Sequence, residues 1–120
     1  MNKIAVYGSL RKGCYNQSHF QRGMKHLGTT KVEGFQLYSL GAFPCAVPSE
    51  GELTVDLFEV DNTTKEQIDR MEIGAGYDLQ TINIDGEQYT IYTYQKPPND
   101  RLVEHGDWVK HLQNERISNF

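Results

Sequence analysis

One glutamate has surroundings suited to acid–base chemistry. Glu72 lies in the stretch RMEIGAGY, between Met71 and Ile73, where a helical pattern gives way to two glycines. A carboxyl group among apolar neighbours at such a helix end could face a pocket. Desolvation there would raise its pKa toward neutrality, as a general acid–base requires. The alternative is a solvated glutamate at the end of a helix, since glutamate is seldom buried.

The N-terminal stretch VYGSLRKG, residues 6–13, could bind an anion. An apolar strand ends at Gly8, and a turn directly after a strand exposes consecutive backbone N–H groups, here those of Gly8, Ser9 and Leu10. Arg11 and Lys12 would add positive potential. The alternative is an ordinary Gly-Ser turn followed by two solvated basic residues.

Three tyrosines and one cysteine are further candidates. Tyr92 and Tyr94 share one face of a strand, because side chains alternate between the two faces, and Tyr77 follows the glycines after Glu72. Packing in the core is the alternative for all three, with a hydroxyl group reaching a cavity. Cys45 is a possible nucleophile, but no histidine or acid stands in a recognisable motif with it.

Composition narrows the class of protein. The chain has 120 residues, a hydrophobic fraction of 38% and a net charge of −4, which suits one globular domain over residues 1–120. The sequence has no run of basic residues and no excess of them over acidic residues, which argues against a nucleic-acid-binding protein. No apolar run has the length of a membrane span and no signal peptide is evident, so we expect a cytoplasmic protein without membrane contact. The two cysteines and four histidines show no metal-ligand spacing, which predicts no metal site.

Strands dominate the elements that must position these residues. The last two predicted strands are joined through Asp85-Gly86, a strong hairpin signal. Short β-branched runs and alternating apolar residues predict five strands, over residues 3–7, 35–40, 53–60, 79–84 and 88–94. Such a set of strands favours a small, mixed and largely antiparallel sheet that curls toward a barrel.

Helices and loops complete the pattern. Apolar spacing predicts a weak helix over residues 16–27 and a clearer one that ends near Gly74, with a capping box at Thr63 or Thr64. Prolines and glycines in residues 41–51 predict a loop. Residues 108–112 are expected to form a short closing helix or turn.

Taken together, these segments resemble the γ-glutamylcyclotransferase-like family, which includes the plant AIG2-like proteins and γ-glutamylamine cyclotransferase. The similarity begins with YGSLRKG at 7–13 and an Asn-His element at Asn16 and His19. It continues through LYSLGAFPCAVPSEG (37–51), VDLFEVD (55–61), IDRMEIGAGY (68–77) and HGDWVKHL (105–112). It therefore covers nearly the whole chain in the family's order.

The sequence departs from the family pattern at two places. The family usually has Gly-Glu-Leu-Tyr-Glu-Val where this chain has VDLFEV at 55–60. It also places an arginine two residues after the tyrosine of the acidic motif, where this chain has Leu79. The missing arginine concerns the support or the specificity of the site, because the glutamate and the tyrosine are both in place.

The resemblance implies an α+β fold with a β-barrel-like sheet and a few short helices around a cavity. Active members of the family cyclise a small γ-glutamyl compound to 5-oxoproline and release the amine without a cofactor. Glu72 would be the general acid–base and would lie across one cavity from the N-terminal loop. By the same resemblance, the substrate-binding residues would be Tyr7, Gly8, Ser9, Leu10, Tyr77, Tyr92 and Tyr94.

Two other functions fit the same residues. One is a non-catalytic module that binds glutamate or another small anion, since a fold does not fix a function. The other is cleavage of a γ-glutamyl bond in a larger conjugate. The identity of the leaving amine would depend on loops that the sequence pattern does not specify.

Overall fold

Six strands form one mixed sheet. The structure, a computed structural model, describes residues 2–40, 43–94, 101–103 and 105–118. The strands follow the order β4-β5-β1-β3-β2-β6 across the sheet. They are β1 (Asn2–Val6), β2 (Met24–Ser39), β3 (Pro44–Val60), β4 (Asp78–Ile84), β5 (Glu87–Thr93) and β6 (Arg101–Val103).

The sheet curls on itself without closing. β3 runs antiparallel to β1 and β2, while β5 lies parallel to β1 at Ile4–Thr90 and parallel to the start of β3 at Ala46–Thr93. Within the described ranges, β4 and β6 each pair with one strand, so they remain edges. The α+β class and the largely antiparallel sheet are therefore confirmed, whereas a closed barrel is not formed.

The long β2–β3 ribbon corrects two predictions. The helix predicted over residues 16–27 stops early: α1 covers Tyr15–Phe20, a 3₁₀ turn covers Gln21–Gly23, and β2 begins at Met24. From there, half-buried and exposed side chains alternate up to position 31, which is the period of a strand and not of a helix.

The loop predicted over residues 41–51 is also wrong from Pro44 onward, where β3 begins; positions 41 and 42 lie outside the described residues. Proline is tolerated at the first residue of a strand and at a bulge. Pro44 occupies the first position. Pro48 pairs with Phe35, next to the register shift between Glu33 and Phe35.

Helix α2 (Asn62–Gly74) ends where the sequence predicted, but it is capped differently. The carboxylate of Asp61 accepts a hydrogen bond of 2.7 Å from the backbone N–H of Thr64. Asp61 is therefore the N-cap, in place of Thr63 or Thr64. Ile68, fully buried, anchors the helix against the sheet.

The β4–β5 hairpin forms as predicted. Asp85 and Gly86 have φ angles of 52° and 84°, the left-handed conformation that a two-residue Asp-Gly turn requires. A closing helix is also present: α3 covers Trp108–Ser118, and Trp108 is buried in the core. No helix in the described part of the chain is long and apolar enough to cross a membrane.

A cluster of buried core residues fixes α2 over the end of β1. Ile68 of α2 meets Ile4 and Val6 of β1, Phe58 of β3 and Tyr92 of β5 in this cluster, where all of them are buried. The C-terminal turn of α2 is thereby held beside the loop that follows β1. The two segments singled out in the sequence, around Glu72 and around Gly8, become neighbours.

Candidate active site

A cavity of about 280 Å³ opens between the end of β1, the C-terminal turn of α2 and strand β5. All eight site residues predicted from the sequence line it, so the structure brings them together, while their roles remain predictions. The wall consists of Ala5, Val6, Tyr7, Gly8, Ser9, Leu10, Asn16, Leu40, Phe43, Pro44, Met71, Glu72, Ala75, Tyr77, Tyr92 and Tyr94.

Glu72 is half-buried in the last turn of α2. Burial raises its pKa from the ordinary value of 4.5 to about 7, and the negative charge of Asp69 adds to the effect. Within the described residues, Glu72 is the single charged side chain on the cavity wall. Its carboxyl group can therefore both take up and release a proton near neutral pH.

The loop after β1 lines this cavity with Gly8, Ser9 and Leu10. The carbonyl oxygen of Ser9 accepts hydrogen bonds from the N–H groups of Asn16 (3.0 Å) and Gln17 (3.1 Å), and the Asn16 side chain donates to the Ser9 hydroxyl (2.7 Å). The N–H groups of Ser9 and Leu10 donate to no other residue in the part of the chain that the structure describes. They remain available to an anionic ligand.

Glycine at position 8 is needed for close packing. A Cβ atom there would lie 2.8 Å from Cγ of Pro44, closer than van der Waals contact allows. The absence of a side chain at Gly8 thus lets the start of β3 approach the loop and close one end of the cavity.

Arg11 is buried, and the solvated interpretation of this residue is wrong. Its Nε lies 3.2 Å from Asp56 and its Nη1 lies 2.8 Å from Asp107. Burial alone would raise the pKa of Asp56, but hydrogen bonds from Thr29 and the Lys12 N–H, together with the Arg11 charge, lower it. The guanidinium group therefore anchors the loop to β3 and to the start of α3.

Tyr7 connects three strands at the floor of the cavity. Its hydroxyl group donates to the carbonyl oxygen of Tyr92 (2.5 Å) and accepts from the N–H of Ala46 (3.0 Å). Burial raises its pKa well above the ordinary value. The hydroxyl is thus engaged by the backbone, and Tyr7 offers the cavity its ring.

Tyr77 and Tyr94 pair on another side of the cavity. Their ring centroids lie 4.8 Å apart at an angle of 49°, a favourable tilted geometry. The Tyr77 hydroxyl donates to the carbonyl oxygen of Pro44 (2.5 Å). Burial raises the pKa of both tyrosines, so both stay neutral at physiological pH.

Tyr92 contacts Asp69, which pairs with Lys65, and the sequence analysis had singled out neither of these two residues. Its hydroxyl donates to Oδ1 of Asp69 (2.7 Å), and Nζ of Lys65 lies 2.7 Å from both oxygens of that carboxylate. Lys65, Asp69 and Glu72 follow each other at intervals of four and three, which places them on one helix face. That spacing was the available signal in the sequence.

Three other residues singled out in the sequence lie outside the cavity lining. Cys45 is buried and is not part of the cavity lining, and His19 is exposed on α1. Leu79, at the position of the family's arginine, is 42% exposed on β4 and is also absent from the lining. Among the described residues, no group of three or more histidine, cysteine or acidic side chains could hold a metal ion.

Sequence comparisons relate the chain to known proteins. The model of the family described as gamma-glutamyl cyclotransferase, AIG2-like, matches residues 4–110. The gamma-glutamylcyclotransferase family protein YtfP of Escherichia coli K12 is 37% identical over 109 residues, which cover 89% of this chain and 96% of that protein.

Solved structures show the same fold. The crystal structure of an uncharacterised protein from Pyrococcus horikoshii matches with a TM-score of 0.86 and 32% identity, covering 100% of both chains. The crystal structure of a mouse AIG2-like protein matches with a TM-score of 0.75 over 90% of this chain and 88% of that one. At 24% identity, this second match bears on the fold alone.

Proposed function

Because the chain belongs to the AIG2-like gamma-glutamyl cyclotransferase family, we propose that it is a cyclotransferase. Its reaction would convert a γ-glutamyl amine or γ-glutamyl amino acid to 5-oxoproline and release the free amine. The observation that carries the proposal is the position of Glu72. Its carboxyl group, with a pKa of about 7, shares one cavity with the unpaired N–H groups of the loop after β1.

The substrate supplies both reacting groups. The α-amine attacks the γ-carbonyl carbon of the same molecule, a new C–N bond closes the five-membered ring, and the C–N bond to the leaving amine breaks. Holding a flexible chain in this folded shape removes much of the entropic barrier, as in other intramolecular reactions. A cavity lined by rigid tyrosine rings suits that task.

Glu72 balances the protons of the reaction. The α-ammonium group must lose a proton before it can attack, and the ionised carboxylate accepts that proton. The protonated carboxyl group then donates to the departing nitrogen, which leaves as a neutral amine. The ring nitrogen loses its second proton after attack, and the regenerated carboxylate accepts it and passes it to solvent. A group with a pKa of about 7 performs both transfers with little energetic cost at neutral pH.

The loop after β1 serves the opposite end of the substrate. The N–H groups of Ser9 and Leu10 would bind either the α-carboxylate or the oxygen that becomes negative during attack. No basic side chain from the described residues lines the cavity, so backbone donors carry this role. The carboxylate of Glu72 and the amides of the loop together match a zwitterionic γ-glutamyl group.

The test is a product analysis. Purified protein is incubated with a panel of γ-glutamyl amino acids and γ-glutamyl amines, and 5-oxoproline, glutamate and the released amine are quantified. Equal amounts of 5-oxoproline and amine are expected. Glutamate in place of 5-oxoproline would indicate hydrolysis, and no product with a ligand that co-purifies would indicate a binding module.

A further inference from the structure

A hydrogen-bonded chain runs behind the cavity wall from α2 to β5. Nζ of Lys65 lies 2.7 Å from both oxygens of Asp69. The Asp69 carboxylate also accepts a hydrogen bond of 2.7 Å from the Tyr92 hydroxyl. The Lys65 and Asp69 side chains are only 14% and 24% exposed. The charges of such a partly buried pair are screened less by salt than those of a surface pair.

Tyr92 is fixed at both of its polar ends. Its carbonyl oxygen accepts from the hydroxyl of Tyr7, and its own hydroxyl donates to Asp69. A phenol has one proton to donate. Because the Tyr92 hydroxyl donates its one hydrogen bond to Asp69, its oxygen can act toward the cavity only as a hydrogen-bond acceptor.

We infer that Lys65 and Asp69 are positioning residues: they orient the Tyr92 hydroxyl as an acceptor for the substrate's α-ammonium group and set the charge environment of Glu72. The inference rests on the proposed function for the identity of the ammonium group. The claim about the charge environment of Glu72 does not depend on the identity of the substrate. Two acceptors, the carboxylate of Glu72 and the hydroxyl oxygen of Tyr92, would then share the bound cation.

Among the described residues, Asp69 is the carboxylate whose negative charge raises the pKa of Glu72. It lies three residues earlier on the same face of α2, with Lys65 on its far side. The other titratable groups around Glu72 are hydroxyls with raised pKa values: Tyr7 from the loop after β1, Tyr77 after α2, and Tyr92 and Tyr94 of β5. All are neutral at the pH where Glu72 titrates.

The two members of the ion pair should therefore act on Glu72 in opposite directions. Carboxylates three residues apart on a helix have Cβ atoms about 5–6 Å apart. At that spacing, one charge moves the neighbour's titration midpoint by about 0.5 to 2 pH units, depending on the effective dielectric. Removing Asp69 should lower the midpoint of Glu72, and removing Lys65 should raise it.

The experiment is a ¹³C NMR titration of the Glu72 carboxyl group in the ligand-free protein. Asp69→Asn keeps an oxygen that can accept from Tyr92 while removing the charge, and Lys65→Met removes the partner charge. Glu66→Gln is the matched control, since Glu66 is exposed on the same helix and is absent from the cavity wall. Circular dichroism checks that each variant is folded.

We expect the midpoint to fall by about 0.5 pH unit or more in Asp69→Asn, to rise in Lys65→Met, and to stay unchanged in Glu66→Gln. An unchanged midpoint in the first two variants, or a shift of the same sign in both, would overturn the inference. Because the titration needs no turnover, this failure is distinct from a failure of the proposed function.

A kinetic measurement tests the Tyr92 part on a substrate that the wild type converts. Tyr92→Phe should raise KM about tenfold, the loss of one hydrogen bond to a charged group, with a smaller effect on kcat. An unchanged KM would show that the Tyr92 oxygen does not bind the ammonium group. In Asp69→Asn, the acidic limb of the plot of kcat/KM against pH should shift to lower pH by the same amount as the NMR titration midpoint of Glu72.

Discussion

Replacing Glu72 with glutamine should make the protein more stable at alkaline pH. The reason is that burial raises the pKa of Glu72 from 4.5 to about 7. Between these two values the unfolded chain has already lost the proton that the folded protein still holds. Unfolding therefore releases a proton, and stability falls as the pH rises through this window.

The size of the effect follows from the interval between the two pKa values. Each pH unit corresponds to 1.36 kcal/mol, so the interval of about 2.5 units costs the folded wild type roughly 3 kcal/mol above pH 7. Below pH 4.5 the carboxyl group is protonated in both states, and the cost vanishes. Glutamine is neutral throughout and carries no such cost.

Urea denaturation of wild type and Glu72→Gln at pH 4.5, 6, 7 and 8 measures the difference directly. We expect a difference near zero at pH 4.5 that grows to roughly 3 kcal/mol at pH 8, or about 10 °C in Tm for a chain of this size. Glu66→Gln, which removes an exposed carboxylate from the same helix, should show no comparable trend. A difference between wild type and Glu72→Gln that is the same at every pH would refute the desolvation of Glu72.

Three further predictions follow from single contacts. Arg11→Met should lower the free energy of unfolding by about 3 kcal/mol, because it leaves the buried carboxylate of Asp56 without its cation; a urea midpoint equal to wild type would contradict this. Gly8→Ala places a Cβ atom 2.8 Å from Cγ of Pro44, so we expect calorimetry to show about tenfold weaker substrate binding, and unchanged affinity would exclude this packing. Phe43 is 58% exposed and lines the cavity, so Phe43→Ala should lower kcat/KM about tenfold for γ-glutamyl phenethylamine and little for γ-glutamyl methylamine. Equal losses for both compounds would place the leaving amine elsewhere.

The parts of the fold that were predicted correctly depend on neighbouring residues. The Asp85-Gly86 turn follows from the left-handed conformation of two adjacent residues. The end of α2 follows from apolar spacing that stops at Gly74. Such signals lie within a few positions, so sequence reasoning detects them.

The parts that were missed depend on contacts between distant positions. Pro44 and Pro48 suggest a loop until the pairing with β2 shows that one begins a strand and the other lies at a bulge. Arg11 resembles a surface residue because its partners are 45 and 96 positions away.

The same distinction holds for the site. The apolar neighbours of Glu72, the turn after the first strand and the resemblance to a family all indicated Glu72 and residues 7–10, but none of them indicated the contacts that support these residues. The role proposed for Asp69 depends on its hydrogen bond with the hydroxyl of Tyr92, which lies on a strand 23 positions later. Hydrogen-bond partners of this kind cannot be assigned until the fold is known.

The most direct test of the central claim measures 5-oxoproline release and substrate affinity together for wild type, Glu72→Gln and the control Glu66→Gln. On the best γ-glutamyl compound of the panel, we expect Glu72→Gln to lose a factor of about 10² to 10⁴ in rate. Its affinity should fall no more than about tenfold, because glutamine can still accept a hydrogen bond from the ammonium group. Release at the wild-type rate by Glu72→Gln would contradict proton transfer by Glu72.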